Sequence, residues 1–193
     1  MMVFDVPPQA LEERGCFSVV SRCGAEELLF LPPGTVTDSA ASEACWLHFL
    51  RPAAEYARLP ITPRTLVSEA AAAQFPQNPV FVSDQLCGGT LRVRLEQALT
   101  DFGARLWLLC EPVCARLPLP CRDAQEQVLG MADLMAKRSL GRAFYADAFC
   151  CNCLPAPEES AVYLYDTAET LQKKCALAED LGIGHAVVFP VQA

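Results

Sequence analysis

Histidine is scarce in this chain: two residues, His48 and His185, among 193. A Cys–His or Ser–His–Asp machine would have to recruit one of them. His185 stands just before a terminal strand, at the end opposite the one where parallel α/β folds keep their sites. Positive charge is also in deficit. Fifteen Lys and Arg face 23 Asp and Glu, a formal net charge of −8. Such a chain repels phosphate, so nucleic acid is not an expected partner. No run approaches the roughly 18 apolar residues of a membrane helix, and no membrane partner is expected. Residues 1–15 carry no basic segment leading into an apolar one, so the expected location is cytoplasmic.

What the chain has is apolar mass and thiols. Hydrophobic residues make up 52% and charged residues 20%, which suits a folded core and a single domain over 1–193. Eleven cysteines are present, an odd number. In a reducing compartment they are expected to be mostly free thiols packed as small hydrophobes.

The first third reads as an N-terminal arm and a possible hairpin (1–34), with strands at Phe17–Ser21 and Leu28–Leu31 around a Gly24 turn. Residues 39–58 carry Leu47, Leu50, Ala54 and Ala57 at helical spacing, interrupted by Pro52. Thr62-Pro63 reads as the start of a helix running into the alanines at 70–73.

A regular βα core is expected over 79–190. Val80–Val82 is an apolar strand. Thr90 caps a helix with Leu91, Leu95, Ala98 and Phe102 inward, and Gly103 ends it. Leu106–Leu109 is a buried strand. Asp123 and Glu126 suggest a capping box for a helix carrying Val128, Ala132 and Met135, with Lys137 and Arg138 in its last turn and Gly141 as its stop. Strands follow at Ala143–Phe149 and Ala161–Tyr165, separated by a link at 150–160 with no helical period. Asp166 with Glu169 suggests a second capping box. Its helix presents Ala168, Leu171, Cys175 and Ala178, Gly182 stops it, and Ala186–Phe189 is the last strand. The alternation predicts an α/β fold, either a partial or reduced TIM-barrel-like (β/α) repeat or an open, mainly parallel α/β sheet.

In the segment 161–190, Asp166, Thr170, Leu171, Lys174, Leu177, Ala178, Gly182 and Gly184 follow a D-x-x-S/T-hydrophobic-x-x-K-x-x-L-A pattern with a Gly-rich turn. This resembles the closing strand–helix–strand of chitinase-like family 18 glycoside hydrolase barrels. The resemblance covers about 30 residues and implies barrel geometry. The D-x-x-D-x-D-x-E run that supplies such enzymes with their acid is absent from this sequence, so the resemblance does not imply their chemistry.

Four predicted strands end in carboxylates: Asp84, Glu111, Asp147 and Asp166. Parallel crossovers bring such ends to one rim, the functional rim of these folds. Asp147 and Glu111 are the expected catalytic pair of a hydrolase, and Asp84 and Asp166 the expected binding residues. Asp166 is equally explained as a helix cap. Cys110, Cys114 and Cys121 form one thiol group, and Cys150, Cys151 and Cys153 another. A thiol-ligated metal protein is therefore an alternative, although buried free thiols account for both groups and no metal or cofactor is expected. Cys87-Gly88-Gly89-Thr90 is a glycine turn into a helix start, without the Walker lysine. The leading expectation is a non-catalytic or degenerate barrel-like module that binds a carbohydrate, another small molecule or a protein. An active hydrolase is the alternative, and the sequence leaves open whether the chain is an enzyme.

Overall fold

The computed structural model describes residues 1–6, 16–21, 23–30, 66–69, 72–73, 75–85, 89–120, 127–137 and 141–191. Several expectations fall outside these residues: the arm at 7–15, the helix over 39–58 with His48, the Thr62-Pro63 start, Cys87-Gly88, and the Asp123–Glu126 capping box with Cys121.

Two sheets form the described fold. The larger contains β1 (Met2–Asp5), β2 (Cys16–Ser21), β3 (Glu26–Phe30), β4 (Val67–Ser68), β5 (Val80–Ser83), β6 (Leu106–Cys110) and β12 (His185–Val188), in the order β3-β2-β1-β12-β6-β5-β4. The pairs β1–β12, β12–β6, β6–β5 and β5–β4 are parallel. The hairpin β2–β3 is antiparallel and closes one edge, with Gly24 at φ +86° in its turn. Among the described residues the sheet curls as a half-barrel without closing.

The second sheet is antiparallel throughout, ordered β8-β7-β11-β10-β9. It contains β7 (Cys114–Pro118), β8 (Gln127–Val128), β9 (Phe144–Ala146), β10 (Cys151–Ala156) and β11 (Ala161–Tyr165).

Both faces of the half-barrel are apolar, as continuous hydrophobic strands require. On one face Phe4, Val6, Val19, Leu66, Phe81, Trp107, Leu109, Val187 and Phe189 form a cluster. On the other, Val82, Leu106, Leu108, Cys110 and Ala186 pack under two helices. Helix α1 (Leu91–Phe102) contributes Leu91, Leu95 and Ala98, spaced to fall on one stripe. Thr90 accepts the Val93 N–H at 3.3 Å to start it, and Gly103 at φ +56° ends it. Helix α3 (Ala168–Asp180) contributes Leu171 and Ala178, with Cys175 partly buried against the same cluster. The second sheet lays Leu154, Ala156, Tyr163 and Tyr165 under Leu134 of the short α2 (Met131–Lys137).

The regular (β/α) repeat holds for β5-α1-β6 and fails after it. The chain leaves the parallel sheet at residue 111, builds the antiparallel sheet, and returns only through α3 to β12. The link at 150–160 is itself strand β10 with a short turn of 3₁₀ helix, because alternating burial at Cys151 and Cys153 suits a pleat rather than a coil. The strand expected over 143–149 shrinks to Phe144–Ala146, and Asp147 lies in the turn beyond it. Gln127–Val128 is strand β8, not helix, and Met135 is exposed. The cap of α3 is Thr167, one residue later than expected. Its hydroxyl accepts the Thr170 N–H while Thr170 Oγ1 accepts the Thr167 N–H. Ala168, expected on the inner face, is exposed.

Candidate functional site

Strand alternation decides where each rim carboxylate points. Asp84 follows β5 and Asp166 follows β11, both one residue past the strand end. Continuing the alternation beyond Val82 turns Asp84 toward the helical layer. Since Thr167 does the capping, Asp166 is free to turn inward. Between them stands Lys174, on the buried face of α3 one turn beyond Thr170.

Lys174 Nζ donates to Asp84 Oδ2 and to Asp166 Oδ2, each at 2.7 Å. Side-chain exposures are 3% for the lysine and 0% for both carboxylates. The other oxygen of each carboxylate is partnered as well. Asp84 Oδ1 accepts the Glu111 N–H at 3.0 Å. Asp166 Oδ1 accepts the Thr170 hydroxyl at 2.7 Å, and its Oδ2 also accepts the Val113 N–H at 2.9 Å. The group ties β5, the segment after β6, the end of β11 and α3 into one buried knot.

The electrostatics follow from two anions sharing one cation out of water. Burial, outweighing the attraction of Lys174, pushes the Asp84 carboxyl up to about 6. Burial penalises the Lys174 ammonium too, but Asp84 and Asp166 outweigh that and hold its pKa above the ordinary value.

Glu111 is only half-buried. Ser83 Oγ lies 3.5 Å from Glu111 Oε2, which sets that carboxylate beside the face opposite Val82, Leu108 and Cys110. Asp147 is exposed on the turn after β9. That turn docks on the helical side: the Ala148 carbonyl accepts the Leu91 N–H at the start of α1, and Cys150 joins the cluster beneath α1 and α3. Two of the four sequence-predicted residues, Asp84 and Asp166, therefore meet around one lysine; Glu111 joins them only through its backbone N–H, and Asp147 stands apart. Lys174 enters the sequence reading through the resemblance over 161–190 and not as a site residue. Its spacing from Leu171 and Ala178 on the apolar stripe was the available signal.

Six of the described cysteines, Cys23, Cys110, Cys114, Cys150, Cys151 and Cys153, are free thiols. Among the described residues no three His, Cys, Asp or Glu side chains are placed to hold one metal ion, and no helix is long and apolar enough to cross a membrane. His185 stacks on Trp107, ring centroids 4.3 Å apart, at the strand end away from the carboxylates.

Parallel half-barrel, helical layer and antiparallel sheet together make this a mixed α/β protein, rich in strands and short of helices. No family model matches the chain, and no curated protein matches it. Two solved structures are similar in shape. The spore cortex-lytic enzyme SleL of Bacillus cereus is 15% identical over 84% of this chain and 43% of its own, with a TM-score of 0.48. SleL of Bacillus megaterium QM B1551 is 14% identical over 77% of this chain and 42% of its own, with a TM-score of 0.46. The chain thus spans less than half the length of either enzyme.

Proposed function

We propose that the chain, acting as one unit over 1–193, is a non-catalytic binding module of the mixed α/β half-barrel class. One observation carries this reading: Lys174 lies 2.7 Å from both Asp84 and Asp166, and all three side chains are sealed from solvent. A general acid or base must reach the proton it moves. Among the described residues these carboxylates reach a lysine, a hydroxyl and backbone N–H groups, so they serve the fold. The expected catalytic pair is split between the two sides of the sheet, with Glu111 beside Ser83 and Asp147 on the turn docked at the helical side. The union of β1 with β12 supports the single-unit reading, since the first and last strands are hydrogen-bonded neighbours.

The ligand class favoured is carbohydrate. The segment 144–149 carries two exposed aromatic rings, Phe144 at 55% and Phe149 at 41%, together with the exposed Asp147 carboxylate. Apolar ring faces suit the C–H faces of a pyranose, and a carboxylate accepts from its hydroxyls.

Calorimetric titration with soluble polysaccharides, run beside an assay for new reducing ends, tests this reading. Saturable binding weakened by Phe149→Ala, without release of reducing ends, is the expected outcome. Reducing ends released by the wild type, and lost in Glu111→Gln or Asp147→Asn, would replace the binding module with an active hydrolase. No saturable binding to any polysaccharide removes the carbohydrate ligand.

A further inference from the structure

The buried cluster is unbalanced in charge. Asp84 and Asp166 bring two carboxylates to one ammonium, and all three side chains are sealed from water. An uncompensated charge in such a place is relieved most simply by a proton. With a proton on Asp84, Lys174 and Asp166 stand as a balanced ion pair beside a neutral acid. Both Oδ2 atoms lie 2.7 Å from the same Nζ, so each carboxylate also feels the charge of the other.

The same two carboxylates hold both ends of the link by which the chain leaves the parallel sheet for the antiparallel one. Asp84 Oδ1 accepts the Glu111 N–H at 3.0 Å, and Asp166 Oδ2 accepts the Val113 N–H at 2.9 Å. Pro112 between them has no N–H, so both N–H groups of the link end on the cluster. Backbone bonds seat the two carboxylates against this stretch: the Asp84 N–H donates to the Leu109 carbonyl at 2.9 Å, and the Asp166 N–H to the Val113 carbonyl at 2.8 Å. The link itself is half-buried, with water on its other side. Around the cluster, α1 presents the apolar Leu91, Leu95 and Ala98. Cys110 on β6, Cys175 on α3, and Tyr145, Cys150 and Cys151 from the antiparallel sheet border it as well. Burial holds the Tyr145 hydroxyl above its ordinary value, and hydrogen bonding with burial does the same for the Cys110 and Cys151 thiols. The carboxyls are left as the groups that titrate in acid.

We propose that the cluster is a proton-operated latch on residues 111–113: one proton from solvent balances its charge and locks the link between the two sheets, and loss of that proton lets the link open locally. The latch stands whether or not the antiparallel sheet binds carbohydrate. Its direction follows from burial, which pushes the Asp84 carboxyl up from 3.8 to about 6. The closed link therefore holds the proton more tightly than an opened, hydrated one. Opening becomes easier as pH rises from 3.8 to about 6, and then levels off.

NMR of the full-length protein across this range is the test. The carboxyl carbon of Asp84 should titrate near pH 6, and the Glu111 amide proton should shift with the same midpoint. Hydrogen-exchange protection of the Glu111 and Val113 amides, corrected for the intrinsic rate, should fall roughly tenfold or more between about pH 4.5 and 6.5. It should stay below that of the β12 amides throughout, because the latch opens without unfolding the sheet. Asp84→Asn cannot shed the proton, and its link amides should keep one level of protection across the range. If that variant does not fold, the wild-type titration decides alone. An Asp84 carboxyl ionised throughout, or a Glu111 amide that does not follow it, overturns the proposal. So does constant protection of the link in the wild type, or the same fall in a folded Asp84→Asn protein. Link amides that exchange only together with those of β12 overturn it too, since Asp84 would then act on global stability and not on the link.

Discussion

Lys174 holds together the buried charges found among the described residues, Asp84 and Asp166. Removing one partner from a buried ion pair typically costs about 3–5 kcal/mol, because the other charge is left without compensation. Lys174→Met leaves Asp84 and Asp166 facing one another with no cation between them. Urea denaturation at pH 7 should show a loss of about that size, and the loss should shrink toward pH 4 as the Asp84 carboxyl takes up its proton. Asp84 adds its own pH signature. Its pKa rises from 3.8 in the ordinary carboxyl to about 6 in the fold, so the folded chain holds this proton more tightly than the unfolded one. The resulting stability is complete below pH 3.8 and is lost as pH rises through about 6. Asp84→Asn lacks this titration. The stability of the wild type relative to that variant should therefore fall between pH 4 and pH 6 and then level off, which paired denaturation curves across that range would measure.

At the scale of single elements, α3 matters most, since it supplies Lys174 and covers β6 and β10. Its start is a reciprocal pair of hydrogen bonds between Thr167 and Thr170, and the Thr170 hydroxyl also donates to Asp166 at 2.7 Å. Thr167→Ala removes an exposed-side cap and should cost about 1 kcal/mol. Thr170→Val keeps the shape but leaves the Thr167 N–H and an Asp166 lone pair unpartnered in a buried setting, a loss of about 1–3 kcal/mol. Thermal melts of the two variants should rank them in that order, with Thr170→Val the less stable. The reverse ranking would mean that the Thr170 hydroxyl does not reach Asp166.

Across the whole molecule, β12 is the strand that joins the parts. It lies between β1 and β6, parallel to both, and it follows the antiparallel sheet and α3 along the chain. Cutting the chain after residue 184 removes both pairings and the apolar contacts of Ala186, Val187 and Phe189. The truncated protein should lose cooperative unfolding. Native-state hydrogen exchange should find the slowest amides in β6 and β12, flanked on both sides, and the fastest in the edge strands β8 and β9. Comparable rates in β9 and β12 would contradict the placement of β9 at an edge.

The sequence alone determined what local chemistry determines. Apolar runs at 80–82 and 106–109 became buried strands, the stripe Leu91-Leu95-Ala98 became the inner face of α1, and Gly103 stopped it. A period of 2 or 3.6 and a glycine in the left-handed region are properties of short segments, and they are legible without a fold. Tertiary structure decided the rest. Whether 150–160 crosses over or turns back depends on which strand offers free N–H and C=O groups, and those belong to β9 and β11. Whether Asp166 caps a helix or turns inward depends on a lysine eight residues away and a carboxylate 82 residues before it. Charge pairing across that separation leaves no periodic trace, so Asp84 and Asp166 read as rim carboxylates in the sequence and stand as halves of one buried ion bridge in the fold.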